Sequence, residues 1–480
     1  MQGFQLQRRV GLTALAGALL LAGCSTMQTP YTPPVTKAPV QWQYGQANAV
    51  AAVTDAWWKN FGDPELDRLV ALALERNNDL AAATIRVRRA QLQTRLAAEN
   101  QKPQLSGSVS TSSTRRLGGD AVSGGTSSSA SLGVGYEVDL WNKLGSQTDV
   151  ARWEALATEQ DRASTALALI STTAQLYWQT GYLNQRLAAG EQSIAVAQKT
   201  LELVQSQYRA GAVSGLEVAE AQQTLSSQQA SQTALVQQRV QATTALALLF
   251  DAPADTNNPA LAALQPATLP TQPLPAVAAG LPAELLARRP DLQAAELRLR
   301  EALSNTDATR ASYYPSLTLT GSLGSASTAL LGVLSNPVAA LGVGITLPFL
   351  QRTRMDLDIQ VSKNQYEEAV VNFRQTLYTA FGDVENALSA RQQYAAQNAL
   401  LVQSLDAARA AERMYEVRYR AGSVPLKSWL DAQEKRRSAE IALAENRLNQ
   451  LNNHSTLYQA LGGSAVALET AAMADRPVQP

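Results

Sequence analysis

The 480 residues contain a single thiol and a single imidazole, Cys24 and His454. A nucleophile needs a base within hydrogen-bond reach, and a zinc site draws most of its three or four protein ligands from Cys and His. The sequence supplies neither set. His454 falls within a stretch of helical pattern, where a solvent-facing side chain is expected rather than a general base. There is no Gly-x-Ser-x-Gly elbow and no Gly-x4-Gly-Lys-Ser/Thr phosphate loop. Carboxylates are scattered along amphipathic stretches and read as solvated faces. No enzyme, cofactor or metal site is expected. Lys plus Arg and Asp plus Glu both total 40, so nothing points to a nucleic acid partner.

Cys24 invites a different chemistry. Arg8 and Arg9 precede an apolar run over residues 10–21, and Leu21-Ala22-Gly23-Cys24 closes it, the pattern of an export signal. Twelve apolar residues span about 18 Å as a helix, against a hydrocarbon core of roughly 30 Å, so the run is too short to cross a bilayer. Leu-Ala-Gly-Cys resembles the bacterial lipoprotein cleavage box. That resemblance implies removal of residues 1–23, acylation of Cys24 and anchoring in membrane lipid, with Ser25 in place of Asp directing the chain to the outer membrane. Loss of Arg8 and Arg9 leaves 38 basic against 40 acidic residues, a net charge of −2.

The elements behind these residues come in two copies. YRAGAVSGLEVAEAQ at 208–222 returns as YRAGSVPLKSWLDAQ at 419–433, an offset of 211. Asp79-Leu80 returns as Asp291-Leu292, Pro103-x-Leu105 as Pro315-x-Leu317, and Leu132-Gly-Val-Gly as Leu341-Gly-Val-Gly. A period this long indicates duplication of one large unit rather than a solenoid. The chain therefore divides into a signal (1–23), a Pro-containing tether (24–62), repeat 1 (63–250), a Pro-rich linker (251–281), repeat 2 (282–463) and a polar tail (464–480). Each repeat carries a helix (63–101, 282–312), two strands, a very long helix, the Ala-Gly phrase and a return helix. The long helix of repeat 1, about 146–208, has only Gly181 and Gly190 inside it and would reach about 95 Å. The 3,4 spacing of Ile194, Ala197, Leu201, Val204 and Tyr208, and of Leu167, Ile170, Ala174 and Tyr177, predicts coiled-coil seams.

Strands are expected at 104–114, 129–141, 316–324 and 340–350, each alternating apolar with small or polar residues. A tilted membrane strand needs this dyad pattern because one face meets lipid and the other water, although a half-buried soluble sheet alternates too. Trp141, Tyr313, Tyr314 and Phe349 lie where strands adjoin helices, resembling one interfacial aromatic girdle. Four strands cannot close a barrel, and an open edge in lipid costs several kcal/mol per unsatisfied group. Two chains would give eight strands and three would give twelve; only the wider barrel leaves obvious room for a pore.

Trp57-Trp58-x-x-Phe61-Gly62-Asp63-Pro64, Asn78-Asp79-Leu80, Tyr136-Glu137-Val138-Asp139-Leu140-Trp141, Arg289-Pro290-Asp291, Tyr314-Pro315-Ser316-Leu317 and both Ala-Gly phrases resemble the outer-membrane factor family, the TolC-like efflux channels, in its lipoprotein branch. The resemblance covers nearly all of the mature chain. It implies a mainly α protein with a membrane β-barrel: a homotrimer with a twelve-stranded barrel continuous with a long α-helical barrel. The implied function is the exit duct of a tripartite efflux system, passing drugs or other small molecules from an inner-membrane pump and periplasmic adaptor to the exterior. The two phrases would be periplasmic tips docking the adaptor through Arg209, Gly211, Val213, Arg420, Gly422 and Val424. A periplasmic gate would map onto Asp431, with Lys427 standing where relatives often carry an apolar plug and Glu434 where they often carry Arg. Residues 347–352 also depart from the family's usual strand-to-helix junction. A channel for polypeptide secretion and a coiled-coil scaffold lipoprotein are the alternatives, the second leaving the four matched strands unexplained.

Overall fold

A computed structural model describes residues 28–45, 56–115, 124–251, 265–277, 279–280, 282–327 and 337–463. The signal, Cys24, residues 252–264 of the linker, the tips of both strand-joining loops and the 464–480 tail lie outside the described residues. The chain forms two compact units. One comprises Met1–Thr36, Ile85–Glu159 and Ala294–Gln375; the other comprises Lys37–Thr84, Gln160–Gln293 and Thr376–Pro480.

Helix α1 (Pro64–Arg76) starts because Asp63 is an N-cap: its Oδ1 accepts from the amides of Glu65 and Leu66, with Pro64 in the first turn. It buries Leu66, Leu69, Val70 and Ala73, one helical stripe. The single helix expected over 63–101 is broken at Asn77, which is extended and whose Oδ1 accepts from Leu80 N–H at 3.0 Å, capping α2 (Asn78–Glu99). An Asn that can satisfy an orphan amide competes with the helix it interrupts. The helix expected over 282–312 breaks at Arg289. Proline at 290 disfavours helical backbone before it, and Pro290 opens α5 (Pro290–Ala311). Arg289 then ties the junction together, donating to Asp291, to Asp383 and to the Ala460 carbonyl.

In the first unit, β1 (Gln104–Arg115), β2 (Gly124–Val138), β3 (Ser316–Ser327) and β4 (Val338–Thr346) form one antiparallel sheet in chain order. Register pairs apolar with apolar: Leu105 faces Val134, Leu132 faces Leu323, and Leu319 faces Val343. The other face carries hydroxyl pairs, Ser108 with Ser131 and Ser110 with Ser129, both at 2.9 Å. Leu105, Val109, Leu132, Leu341, Val343 and Ile345 are exposed on the single chain. Among the described residues no helix is long and apolar enough to cross a membrane. The strands expected at 129–141 and 340–350 end earlier, at Val138 and Thr346. Leu140 N–H turns back to the Val138 carbonyl, and Pro348, lacking an N–H, opens a 3-10 turn at Pro348–Leu350. The helix before each β-hairpin meets the long helix after it through a matched contact: Thr94 Oγ1 donates to the Ala151 carbonyl and Thr306 Oγ1 to the Ser362 carbonyl, offsets of 212 and 211.

The long helices are α3 (Lys143–Arg209) and α6 (Arg352–Arg420), returning as α4 (Gly215–Leu248) and α7 (Leu426–Ala460). Within the second unit, Leu167, Ile170, Ala174 and Tyr177 are buried as their spacing predicts, and so are Ala197, Leu201 and Val204; Tyr208, at the end of that seam, is exposed. Gly181 is required by close approach, since a Cβ there would meet Pro266 and the Thr268 carbonyl at 3.0 and 3.1 Å.

His454 is the clear correction. It is 1% exposed, enclosed by Phe61 and Tyr458, while Tyr458 also stacks on buried Trp57. Most of its sequence neighbours in α7 look polar; Tyr458, one turn on, covers one side of it, and Phe61, nearly four hundred positions earlier, covers the other. Burial, aided by Arg391 and Arg447, pushes the imidazole down from 6.5 to about 4. The unfolded chain thus binds a proton that the folded one refuses. This stability is complete above pH 6.5, falls away as pH drops through 4, and is worth about 3 kcal/mol. Thermal unfolding of detergent-solubilised protein is expected at lower temperature as pH falls from 7 to 4, and His454→Gln should flatten that dependence. Identical pH profiles for the two proteins would remove His454 from the acid response.

Candidate functional site: the paired hairpin tips

Both repeated phrases end a long helix at a glycine with φ of +73°, Gly211 and Gly422. Gly211 N–H donates to the Tyr208 carbonyl and Ala212 N–H to that of Gln207; Gly422 N–H donates to the Tyr419 carbonyl and Ser423 N–H to that of Arg418. All four bonds measure 2.9 Å. These are the paired 5→2 and 6→1 bonds of a Schellman cap, made identically twice. A Cβ at either glycine would meet nothing within 4 Å, so left-handed backbone, not crowding, selects glycine.

The chain restarts differently at the two tips. Ser214 and Glu217 form a capping box on α4, and hydrogen bonds from Ser214 hold the Glu217 carboxyl below its usual range. Pro425 opens α7 without a side-chain cap. Behind the turns, Leu201, Val204 and Leu225 of the first hairpin share one core with Tyr419, Leu426 and Trp429 of the second. Tyr419 stacks on Trp429 with ring centroids 5.3 Å apart, and its hydroxyl donates to Gln207 Oε1 at 2.9 Å. The tips are therefore one packed body. Neither Tyr419 nor Trp429 was singled out from sequence, although a signal exists: Trp429 stands where the first copy has Val218.

Of the tip residues, Arg209, Gly211, Arg420 and Gly422 are exposed. Arg420 pairs with Glu416 at 2.6 Å, and Arg209 Nε donates to the Gln205 carbonyl. Val213 and Val424 instead are half-buried and pack against the shared core. Lys427 Nζ lies 3.2 Å from Asp431 Oδ1, with both side chains more than half exposed. Such a pair is worth at most about 1 kcal/mol. Glu434 is engaged one turn on by Arg437 and Ser438, and shares with Asp431 a groove of about 670 Å³ between α6 and α7. A second charge set braces these two helices. Arg436 bridges Glu412 and Glu440, and Arg409 reaches Glu440 at 3.3 Å. Reading the carboxylates as solvated missed it, because the partners are on different helices.

At the sheet end of the first unit, Trp141 lies 5.0 Å from Tyr314 and donates to the Pro315 carbonyl at 2.8 Å. Tyr313 donates to Asp358, and Phe349 sits in the 3-10 turn after β4. The contacts join Trp141 with Tyr314; Tyr313 is held separately by α6.

Alanine at Gly422 should strain the tip by about 1–2 kcal/mol. Amide exchange at positions 422 and 423 is expected to accelerate roughly tenfold while the Tyr419–Trp429 core stays protected. Unchanged exchange would mean that the left-handed cap contributes nothing to tip order.

A family model described as outer membrane efflux protein matches residues 69–250 and 281–463. The chain is 34% identical over 465 residues to the pyoverdine export outer membrane protein OpmQ of Pseudomonas putida, covering 94% of this chain and 97% of that protein. It is 33% identical over 476 residues to the probable efflux pump outer membrane protein TtgC of the same species, covering 94% and 95%. The open-state structure of the Neisseria gonorrhoeae MtrE outer membrane channel matches with TM-score 0.76 at 30% identity, covering 91% of this chain and 98% of that one. The fold is accordingly that of the TolC-like channels: mainly α, trimeric, with four strands per protomer in a twelve-stranded β-barrel and an α-helical barrel. The chain belongs to the outer membrane efflux protein family, located in the bacterial outer membrane with a large periplasmic part.

Proposed function

We propose that three copies of this chain form the exit duct of a tripartite efflux system, through which an inner-membrane pump and a periplasmic adaptor discharge small molecules to the exterior. The observation that carries the docking part of this reading is the doubled tip. Two Schellman-capped turns share one core and leave Arg209 and Arg420 outward. Three protomers present six such turns, a regular surface that an adaptor's helical ends can grip. The relative named for pyoverdine export favours small-molecule cargo. Cys24 carries the acyl chains that hold the tether in lipid, and Trp141, Tyr313, Tyr314 and Phe349 mark the periplasm-side interface. The Cys24 and girdle assignments rest on sequence pattern, and Trp141 beside Tyr314 agrees with the second.

Asp431 is not a bare carboxylate, because Lys427 accompanies it. Three copies around an axis form a ring of opposed pairs rather than a ring of like charges. Removing either partner leaves three like charges facing one another, and removing both leaves none.

Two measurements test this. Bulk at Gly422 (Gly422→Trp) should abolish export in cells while trimers still form, since the site is open and faces outward. Normal drug resistance in such cells would take tip docking out of the account. In planar bilayers, Asp431→Ala and Lys427→Ala should each open more often than the unaltered channel at low salt. The double variant should fall back toward it, and the differences should shrink as salt rises. Indistinguishable openings for all four proteins would exclude the pair from gating.

A further inference from the structure

The first described residues of the tether are docked. Thr29, five positions after Cys24, donates its backbone N–H to Asp307 Oδ2 at 2.6 Å and its hydroxyl to Asp307 Oδ1 at 2.7 Å. Asp307 is 4% exposed, and Arg310 lies 3.5 Å from its Oδ1. A buried carboxylate needs its hydrogen bonds, so α5 holds a group that is satisfied when the tether lies in place. Two flanking contacts agree. Gln28 Nε2 donates to Asp149 Oδ2 at 3.1 Å, and Arg300 lies over Tyr31 at 4.6 Å and over Trp153 at 5.4 Å from the ring centroids. Three successive anchor points on α3 and α5 are unlike the extended, free tether that the prolines suggest. By contrast Val35, a few residues on, is 86% exposed.

We propose that residues 28–31 form a strap that takes up the slack of the lipid anchor and holds the α5–β3 junction of the first unit at the membrane surface. The proposal rests on acylation of Cys24. Five residues span at most about 17 Å, so the acyl chains stay within that distance of the strap. Asp307 lies one helical turn before the end of α5 at Ala311, and β3 begins at Ser316. Acyl chains in the periplasm-facing leaflet thus keep the start of β3 beside the bilayer it enters. The consequence is kinetic. A short free span raises the effective concentration of the protomer's strands at the membrane, and lengthening it from five residues to fifteen should lower that concentration about fivefold.

Insertions test this without touching the folded body. Ten Gly/Ser residues between Met27 and Gln28 should slow formation of SDS-resistant trimers about fivefold in a pulse-chase. The same ten between Val35 and Thr36, beyond the strap, should leave the rate unchanged. Asp307→Ala should abolish this asymmetry by releasing the strap. Metabolic labelling with palmitate reads the anchor itself. Labelled protein in which both insertions slow assembly equally, or neither does, overturns the strap and leaves the anchor standing. An unlabelled wild-type chain overturns the acylation reading and the strap with it.

Discussion

The structure depends on two unpaired edges. β1 and β4 each have one neighbour in the sheet, and the outward pattern of Leu105, Val109, Leu341, Val343 and Ile345 is suited to lipid. Hydrocarbon offers no partner for edge N–H and C=O groups, each worth several kcal/mol when left unsatisfied. A four-stranded sheet cannot curl far enough to pair its own edges, whereas twelve strands close around an aqueous lumen. Assembly is thus a requirement of backbone hydrogen bonding. The symmetry of the tube follows from it: one chain carries two hairpins, so the closed ring carries six.

Duplication supplies the second constraint. Thr94 with Ala151 and Thr306 with Ser362 make one contact twice, as do the caps at Gly211 and Gly422. Yet the copies are not equivalent. Tyr208 is exposed where Tyr419 is buried, and Ser214 caps its helix where Pro425 makes no side-chain bond. The Tyr419–Trp429 stack uses this difference to wedge one hairpin against the other. The charges differ as well: the Asp431 carboxylate is matched by Glu220 in the first copy, whereas Lys427 stands where that copy has Leu216.

Features governed by local rules were legible in the sequence. Left-handed glycine after a helical run, proline after Asp63 and the alternation in the four strands, weaker in the first, each depend on residues within a few positions, and each element formed. What escaped was set by distant partners. His454 looked solvent-facing from α7 alone, but Phe61 and Tyr458 enclose it. Val213 and Val424 looked like tip surface until the two hairpins were packed together. The breaks at Asn77 and Arg289 are intermediate cases: both have local causes, an Asn cap and a following proline, that helical periodicity on either side conceals. Carboxylates such as Glu412 and Glu440 read as solvated because their partner Arg436 belongs to another turn or another helix.

The central claim is that these edges are sealed by other copies of the same chain. Native mass spectrometry of protein extracted from outer membranes in mild detergent measures this directly. The expected result is a complex of three chains, with no population of folded monomer. A stable monomer free in solution, or a closed dimer, would contradict the account.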